Sequence, residues 1–270
     1  MKVRAYLAVI AAATLVPIVL FAAFALESVL REERTAALGA VQETARLTAT
    51  GVDREIASSL AALRVLASSV HLVDGRLAQF YEQAAAANAG AQTWTVLFDR
   101  DGRQLVNTRA PFGTALPQRR HPERGEEVIR TQRPYVSGLT TSRTAGRYVV
   151  NVNAPVPLAG GTRYVLGQAF QADYFLRALP QRPLPDGWAI SIIDRDGNVI
   201  VRSGSADATG KRVPAELLAA MWGQPEGEVT RRENNAERID VYARSGLSGW
   251  TVAVSVPPAA IDGGQRRAAG

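Results

Sequence analysis

The sequence predicts an α+β protein in which an N-terminal transmembrane helix and a long helix precede two tandem five-stranded antiparallel sheets. Three observations lead to this prediction. The chain begins with an uncharged apolar run, and a proline-free amphipathic segment follows it. One strand–turn–strand motif then occurs twice, from residue 98 and again from residue 193, which indicates two copies of one structural unit.

The composition of the 270 residues excludes several classes of function. There is no cysteine and there are two histidines, which argues against disulfides, thiolate nucleophiles and Cys- or His-ligated metals, so we expect no metal and no cofactor. The 31 Lys and Arg outnumber the 25 Asp and Glu, for a net charge of +6. These cations are spread over the whole chain instead of forming one basic stretch, so we expect no nucleic-acid partner.

The apolar run covers residues 5–26 and contains no charged residue. As a helix it would be about 33 Å long, enough to cross a bilayer. Lys2 and Arg4 precede it, so residues 1–4 are expected in the cytoplasm and the bulk of the chain in the periplasm. We therefore expect a single-pass protein of a bacterial inner membrane. The alternative is a cleaved signal peptide that ends near Ala23-Phe24-Ala25.

Residues 27–90 predict a long extracytoplasmic helix, to about residue 70, and a shorter second helix. Apolar residues recur at spacings of three, four or seven, which is typical of an amphipathic helix. The stripe consists of Leu30, Leu38, Val41, Ala45, Val52, Ile56, Leu60, Leu63 and Ala67.

The repeated motif reads FDRDGRQLVNTR at 98–109 and IDRDGNVIVRSG at 193–204. Each copy is an apolar run, an Asp-Gly turn and a second apolar run, which predicts a β-hairpin. A helical stretch and three strand candidates follow each hairpin, so we expect one unit over 91–180, a second over 181–257 and a tail over 258–270. The three strand candidates are 134–138, 147–156 and 163–170 in the first unit, and 227–233, 238–244 and 249–256 in the second.

The Asp-x-Asp-Gly turns could also suggest calcium binding. An EF-hand loop needs a further ligand series before its glycine, and here the glycine follows the second Asp directly. A tight turn is the better interpretation. The segment 204–212 is similar to a phosphate-binding loop but has the wrong spacing and Arg212 in place of Ser or Thr. We expect no enzymatic activity; a membrane-tethered hydrolase or lyase is the least favoured alternative.

The order of these elements resembles the double Cache family, whose fold is a tandem of PAS-like sheets, and VLFDRDGRQLVNTRAPFGTALP at 96–117 is similar to its first unit. The resemblance implies an extracytoplasmic sensor module, as in bacterial sensor histidine kinases, chemoreceptors and diguanylate cyclases. It further implies a homodimer, a small-molecule ligand in the membrane-distal first unit, signalling through the long helix and an output domain outside this chain. The alternative is a ligand-free scaffold or interaction protein of the cell envelope.

A ligand site can be predicted from the strand at 147–156. Its alternation places Arg147, Val149, Asn151 and Asn153 on one face and the apolar Tyr148, Val150 and Val152 on the other, toward the long helix. Several arginines around one cavity favour a carboxylate or another organic anion. The candidate ligand-binding residues are Arg109, Arg133, Tyr135, Arg147, Asn151 and Asn153.

Two further expectations concern the same unit. Amino-acid-binding members of the family share an Arg-x-Trp-Tyr motif and an aspartate at the end of the last strand of the unit. This sequence lacks the motif and has Ala169 at the place of the aspartate, so amino-acid specificity is not carried over. Trp94 and Trp188, which precede the two hairpins, are expected in the core.

Overall fold

The structure is a computed structural model, and it describes residues 2–90, 92–118, 122–158, 164–233 and 235–262. The described helices are α1 (Lys2–Ala67), α2 (Val70–Val73), α3 (Leu77–Ala87), α4 (Pro122–Thr131), α5 (Ala215–Gly223) and α6 (Pro258–Ile261). The strands of the first sheet are β1 (Thr93–Phe98), β2 (Gln104–Asn107), β3 (Tyr135–Val136), β4 (Thr140–Thr141), β5 (Tyr148–Val156) and β6 (Tyr164–Gln171). Those of the second are β7 (Ala189–Ile193), β8 (Val199–Arg202), β9 (Glu226–Glu233), β10 (Ala236–Arg244) and β11 (Thr251–Val256).

The long helix packs along both sheets through the predicted stripe. Its second half buries one face in a core that also takes side chains from β5, β6, β10 and β11. The predicted amphipathic helix is therefore confirmed, with its end at Ala67. The buried members of the stripe are Val41, Ala45, Val52, Ile56, Leu63 and Ala67, and Ala49 and Leu66 are buried beside them.

The predicted transmembrane helix over residues 5–26 falls on the first part of α1. The side chains of residues 5–14, 16, 17 and 23 lie outside the described residues, and the large apolar side chains that are described there, such as Phe21 and Phe24, are exposed. Among the described residues, no helix has a segment long and apolar enough to cross a membrane.

Both sheets are antiparallel and share one strand order. The first runs β2-β1-β6-β5-β3 and the second β8-β7-β11-β10-β9, so the repeat in the sequence is a repeat in topology. The first sheet has one strand more than predicted, because Thr140 and Thr141 pair with Val149 and Tyr148 as the short strand β4. The predicted tandem of antiparallel sheets behind a long helix is confirmed.

The Asp-Gly turns have the conformation that the hairpins require. Gly102 and Gly197 have φ values of 76° and 86°, in the left-handed region that glycine adopts without steric strain. The preceding Asp99 and Asp194 accept hydrogen bonds from the backbone N–H of Arg103 and Asn198, at 2.8 Å in each case. These contacts support the interpretation of the motif as a turn.

A second contact between α1 and the sheets is polar. Asp53, in the middle of the helix, accepts hydrogen bonds from the backbone N–H groups of Gly246 and Leu247, both at 3.0 Å, and from the hydroxyl of Ser245. These residues form the turn between β10 and β11. One carboxylate therefore fixes the position of the helix relative to the second sheet.

Replacing Asp53 with Ala is expected to lower the free energy of unfolding by about 2 kcal/mol, because three donors to a charged acceptor lose their partner. Chemical denaturation of the purified chain measures the effect. Arg54→Gln, at the exposed neighbouring position, is the matched control and should leave stability nearly unchanged. Equal effects of the two substitutions would contradict this account of the contact.

Candidate functional site

The strand β5 alternates between two environments. Val150 and Val152 are buried in the core shared with α1, whereas Val149 packs on the opposite face of the sheet with Trp94 and Phe98. Asn151 faces the same side as Val149. The face that carries Val149 and Asn151 is the floor of a cavity of about 350 Å³, within the range of small-molecule sites.

The cavity lies between the first sheet and the segments that cover it. Trp94, Val149 and Ala169 form the apolar part of the floor, and the first turn of α4 and residues 137–144 form the walls. Four charged side chains line it: Glu123, Arg124, Arg143 and Asp196. The cavity therefore combines an apolar floor with groups of both charges, which suits a small molecule that has an apolar part and charged ends.

Tyr135 is held between two guanidinium groups. The Cζ atom of Arg124 lies 5.4 Å from the centre of its ring, and the Cζ atom of Arg195 lies 5.5 Å from it. Both distances are within the range of a cation–π contact. Since Arg124 belongs to α4 and Arg195 to the β7–β8 hairpin, this ring joins the cover of the cavity to the second unit.

The wall at residues 137–139 is fixed on both sides. Ser137 accepts a hydrogen bond from the backbone N–H of Asn151 with its hydroxyl, at 2.8 Å, and its own N–H donates to the carbonyl of Asn151, also at 2.8 Å. From the second unit, Trp250 donates its indole N–H to the carbonyl of Ser137, at 3.1 Å, and Asp194 accepts from the N–H of Leu139, at 2.9 Å. This wall is therefore shared by the two units.

Asp194 lies so close to Gly138 that there is no room for a side chain at this position. A Cβ atom there would lie 2.9 Å from Oδ2 of Asp194, closer than real Cβ atoms come to such a group. Asp194 is fully buried, and Asp196, two residues later, lines the cavity itself. The first-unit cavity therefore includes a carboxylate from the second unit.

The structure brings two of the six predicted site residues to this cavity, Tyr135 and Asn151. Asn153 is fully buried in the sheet, where its side-chain amide donates to the carbonyl of Tyr135 at 3.3 Å. Arg133 is exposed, and in the described part of the chain it lines none of the cavities. Arg109 extends over the edge of Trp94, with its Cζ 5.9 Å from the ring centre, beside a separate small pocket.

Arg147 lies in a different place from the one predicted. It precedes β5 and lines a cleft between the two units, with a hydrogen bond of 3.3 Å from Nη1 to Oε1 of Gln171. The prediction extended the alternation of β5 to Arg147, but the strand begins at Tyr148. The alternation therefore does not determine the direction of the Arg147 side chain.

The aromatic and charged residues of the site that were missed are Trp94, Glu123, Arg124, Arg143 and Asp196. The alignment of the two repeated motifs could have shown that Trp94 and Trp188 are not equivalent. When the two copies are aligned with Asp99 on Asp194, Trp94 falls on Ala189 and not on Trp188. Trp188 lies one residue before Ala189, and neighbouring residues of a strand face opposite sides of the sheet. Trp188 accordingly packs, partly buried, on the core shared with α1. Trp94 is 5% exposed and belongs to a hydrophobic cluster, so its expected place in the core is confirmed, and it also lines the cavity.

In the described residues, no group of three or more His, Asp or Glu side chains could hold a metal ion. The Asp-Gly turns contribute one carboxylate, Asp196, to the cavity.

Comparison with known proteins gives matches at the level of structure alone. No family model matches the chain, and no curated protein matches it in sequence. The extracellular domain of mmHK1S-Z3, assigned as a histidine kinase, superposes with a TM-score of 0.68 at 14% identity, over 86% of this chain and 98% of that domain. The chain has the double Cache fold.

Two chemoreceptors with the double Cache fold are similar to it. The ligand-binding domain of Campylobacter jejuni Tlp3, in complex with L-valine, gives a TM-score of 0.61 at 12% identity and covers 86% of this chain and 97% of that one. The ligand-binding domain of Pseudomonas aeruginosa PctB, in complex with L-arginine, gives a TM-score of 0.60 at 15% identity and covers 80% of this chain and 92% of that one. The structural neighbours of this chain are thus extracellular sensory domains, and identities this low show the fold alone.

Proposed function

We propose that this chain is the extracytoplasmic input domain of a bacterial signalling receptor and that it binds a small ligand in the first-unit cavity. The observation that carries the proposal is the cavity itself, on the outer face of the first sheet, with an apolar floor and charged walls. The sensory role of the proteins that share the double Cache fold supports it. A ligand-free scaffold would need no such cavity.

The charges of the lining favour a ligand that carries both a carboxylate and an ammonium group. Arg124 and Arg143 suit a carboxylate, as guanidinium groups pair with it through two parallel hydrogen bonds. Asp196 and Glu123 suit an ammonium group. Ala169 lines the cavity at the place where amino-acid-binding members have an aspartate, so Asp196 would supply the carboxylate from a different element. A simple organic anion is the second candidate, on the strength of the two arginines.

The signal would leave the cavity by two routes. Val150 and Val152, on the back of the strand that carries Asn151, pack in the core shared with α1. Residues 137–139 connect the cavity wall to Asp194 and Trp250 of the second unit. Binding would favour one arrangement of these contacts over another and would shift the population of receptor states.

Isothermal titration of the purified chain with amino acids and their matched 2-hydroxy acids is the test of this function. We expect an amino acid to bind and its hydroxy counterpart to bind more weakly. Asp196→Asn should reduce the affinity for the amino acid by about tenfold or more, because a charge-assisted hydrogen bond is lost, and should not weaken the hydroxy acid. Arg133→Gln is the matched control, since Arg133 is exposed and does not line the cavity.

Preference for the hydroxy acid, unchanged by Asp196→Asn, would favour the organic anion. Binding of neither class, in a chain that is folded by circular dichroism, would contradict the sensor proposal and favour the scaffold.

A further inference from the structure

A cleft of about 510 Å³ separates the two units on the side of the molecule that carries Arg147. The first unit contributes the end of β6, the start of β5 and the 3₁₀ helix Ala172–Ala178. The second contributes the end of β8 and the loop that follows it to Thr209. The cleft shares no lining residue with the first-unit cavity, and sites between domains are among the preferred positions of ligand pockets.

Two arginines line the cleft from its two sides. Arg147 belongs to the first unit and makes the one hydrogen bond to Gln171 described above. Arg202 belongs to the second, and its Nη2 lies 3.9 Å from Oε2 of Glu233, which is beyond hydrogen-bond distance. Within the described residues the Arg202 guanidinium has no closer partner. Both groups therefore keep donors that an anion could use.

Apolar side chains from both units line part of the rest of the cleft. Leu176 is 44% exposed and Tyr148 is 45% exposed, and Ala172 and Val201 lie beside them in the cleft. The ring of Tyr148 lies directly on Gly210, where a Cβ atom would come within 2.6 Å of Cζ. The absence of a side chain at Gly210 thus lets the ring of Tyr148 pack against the second unit.

We propose that this cleft is a second ligand site, which binds a monocarboxylate with an apolar chain between the two units. The carboxylate pairs with Arg147 and Arg202, and the chain covers Leu176, Val201 and Tyr148. One carboxylate of the protein, Asp173, is also part of the lining, and the two arginines outnumber it. Because the arginines belong to different units, the bound ligand holds the units together, and occupancy of the cleft changes the coupling between them.

Titration of the purified full chain with hexanoate, followed by ligand-observed NMR, tests this site. We expect millimolar or tighter binding of hexanoate and much weaker binding of hexanol, hexylamine and inorganic phosphate. Arg147→Gln and Arg202→Gln should each reduce the affinity by about tenfold, the effect of losing one charge-assisted contact. Ala206→Trp, which fills the cleft from its exposed rim and leaves both arginines in place, should abolish binding.

Two control variants separate this site from the first-unit cavity. Arg133→Gln, at an exposed position outside the cleft, and Arg143→Gln, in the first-unit cavity, should leave hexanoate affinity unchanged. The proposal is overturned if hexanoate does not bind, if hexanol binds equally well, if phosphate binds better, or if Ala206→Trp has no effect. Loss of hexanoate binding in Arg143→Gln would also overturn it, because the carboxylate would then occupy the first-unit cavity.

Discussion

Replacing Arg231 with Met is expected to lower the free energy of unfolding by about 3–5 kcal/mol, the usual cost of removing one partner from a buried ion pair. Arg231 on β9 and Asp240 on β10 are diagonal neighbours in the sheet and are 5% and 1% exposed. Nε of Arg231 donates a hydrogen bond to Oδ2 of Asp240, and its Nη2 lies 3.5 Å from Glu233. In the variant, the carboxylate of Asp240 stays buried without this cation.

The pKa of Arg231 reflects the balance at this site. Burial lowers it, but the hydrogen bond and the charge of Asp240 raise it by more, so the guanidinium stays charged. Among the described residues, Nη1 of Arg231 is buried and has no hydrogen-bond partner. Part of the desolvation cost of this ion pair is therefore not compensated. We do not expect an ion pair to be the most stable combination of side chains at these two positions.

A double substitution separates these two effects. Arg231→Met with Asp240→Leu removes both charges and should recover most of the stability that Arg231→Met loses, because no buried charge remains. Arg232→Gln, at the exposed neighbouring position of the same strand, is the matched control. Equilibrium urea denaturation measures all four free energies. If Arg231→Met costs no more than Arg232→Gln, the pair does not have the role that its burial implies.

The fold could be predicted because its signals are local and occur twice. The stripe on α1 and the Asp-Gly turns at residues 101–102 and 196–197 each depend on residues close in sequence. The repeat then supplied the long-range information, since two copies of one hairpin imply two copies of one sheet. The short strand β4 was missed because two residues, Thr140 and Thr141, carry too little periodicity to be recognised.

The site could be predicted only where a strand carries it. Asn151 was found because the alternation of β5 fixes its face, and Tyr135 because the expected PAS-like strand order places it beside that strand, where it pairs with Asn153. Arg124 and Arg143 lie on a helix and a loop, whose direction over the sheet no local pattern encodes. Asp196 belongs to the second copy of the motif, and only the packing of one unit on the other brings it to the cavity of the first.

Replacing Asp194 with Ala is expected to lower the free energy of unfolding by about 3 kcal/mol or more, because several buried donors lose one charged acceptor. The carboxylate accepts from the backbone N–H groups of Asp196 and Asn198 in its own turn, at 3.0 and 2.8 Å, and from that of Leu139 in the first unit, at 2.9 Å. It is fully buried, so water cannot replace the lost partners. Thermal and urea denaturation measure the loss.

The repeat provides the matched control for this prediction. Asp99 occupies the same place in the first hairpin and accepts from the N–H of Arg103 at 2.8 Å, but it is partly exposed and its described side-chain contact stays within its own turn. Asp99→Ala should therefore cost about 1 kcal/mol. The excess for Asp194→Ala measures what the contact with the first unit and the burial of the turn contribute together.

The same pair of variants tests whether the contact transmits a signal. Leu139 and Gly138 line the first-unit cavity, so the loss of the Asp194 bond frees a wall of that cavity as well as a link between units. We expect Asp194→Ala to weaken ligand binding there by about tenfold at a temperature where the variant is folded, and Asp99→Ala to leave it unchanged. Equal affinities in the two variants would mean that the second unit supports the cavity without influencing its occupancy. Weakened binding in Asp194→Ala alone would mean that occupancy of the first-unit cavity is coupled to the contact between Asp194 and Leu139, and by thermodynamic reciprocity that a bound ligand stabilises this contact.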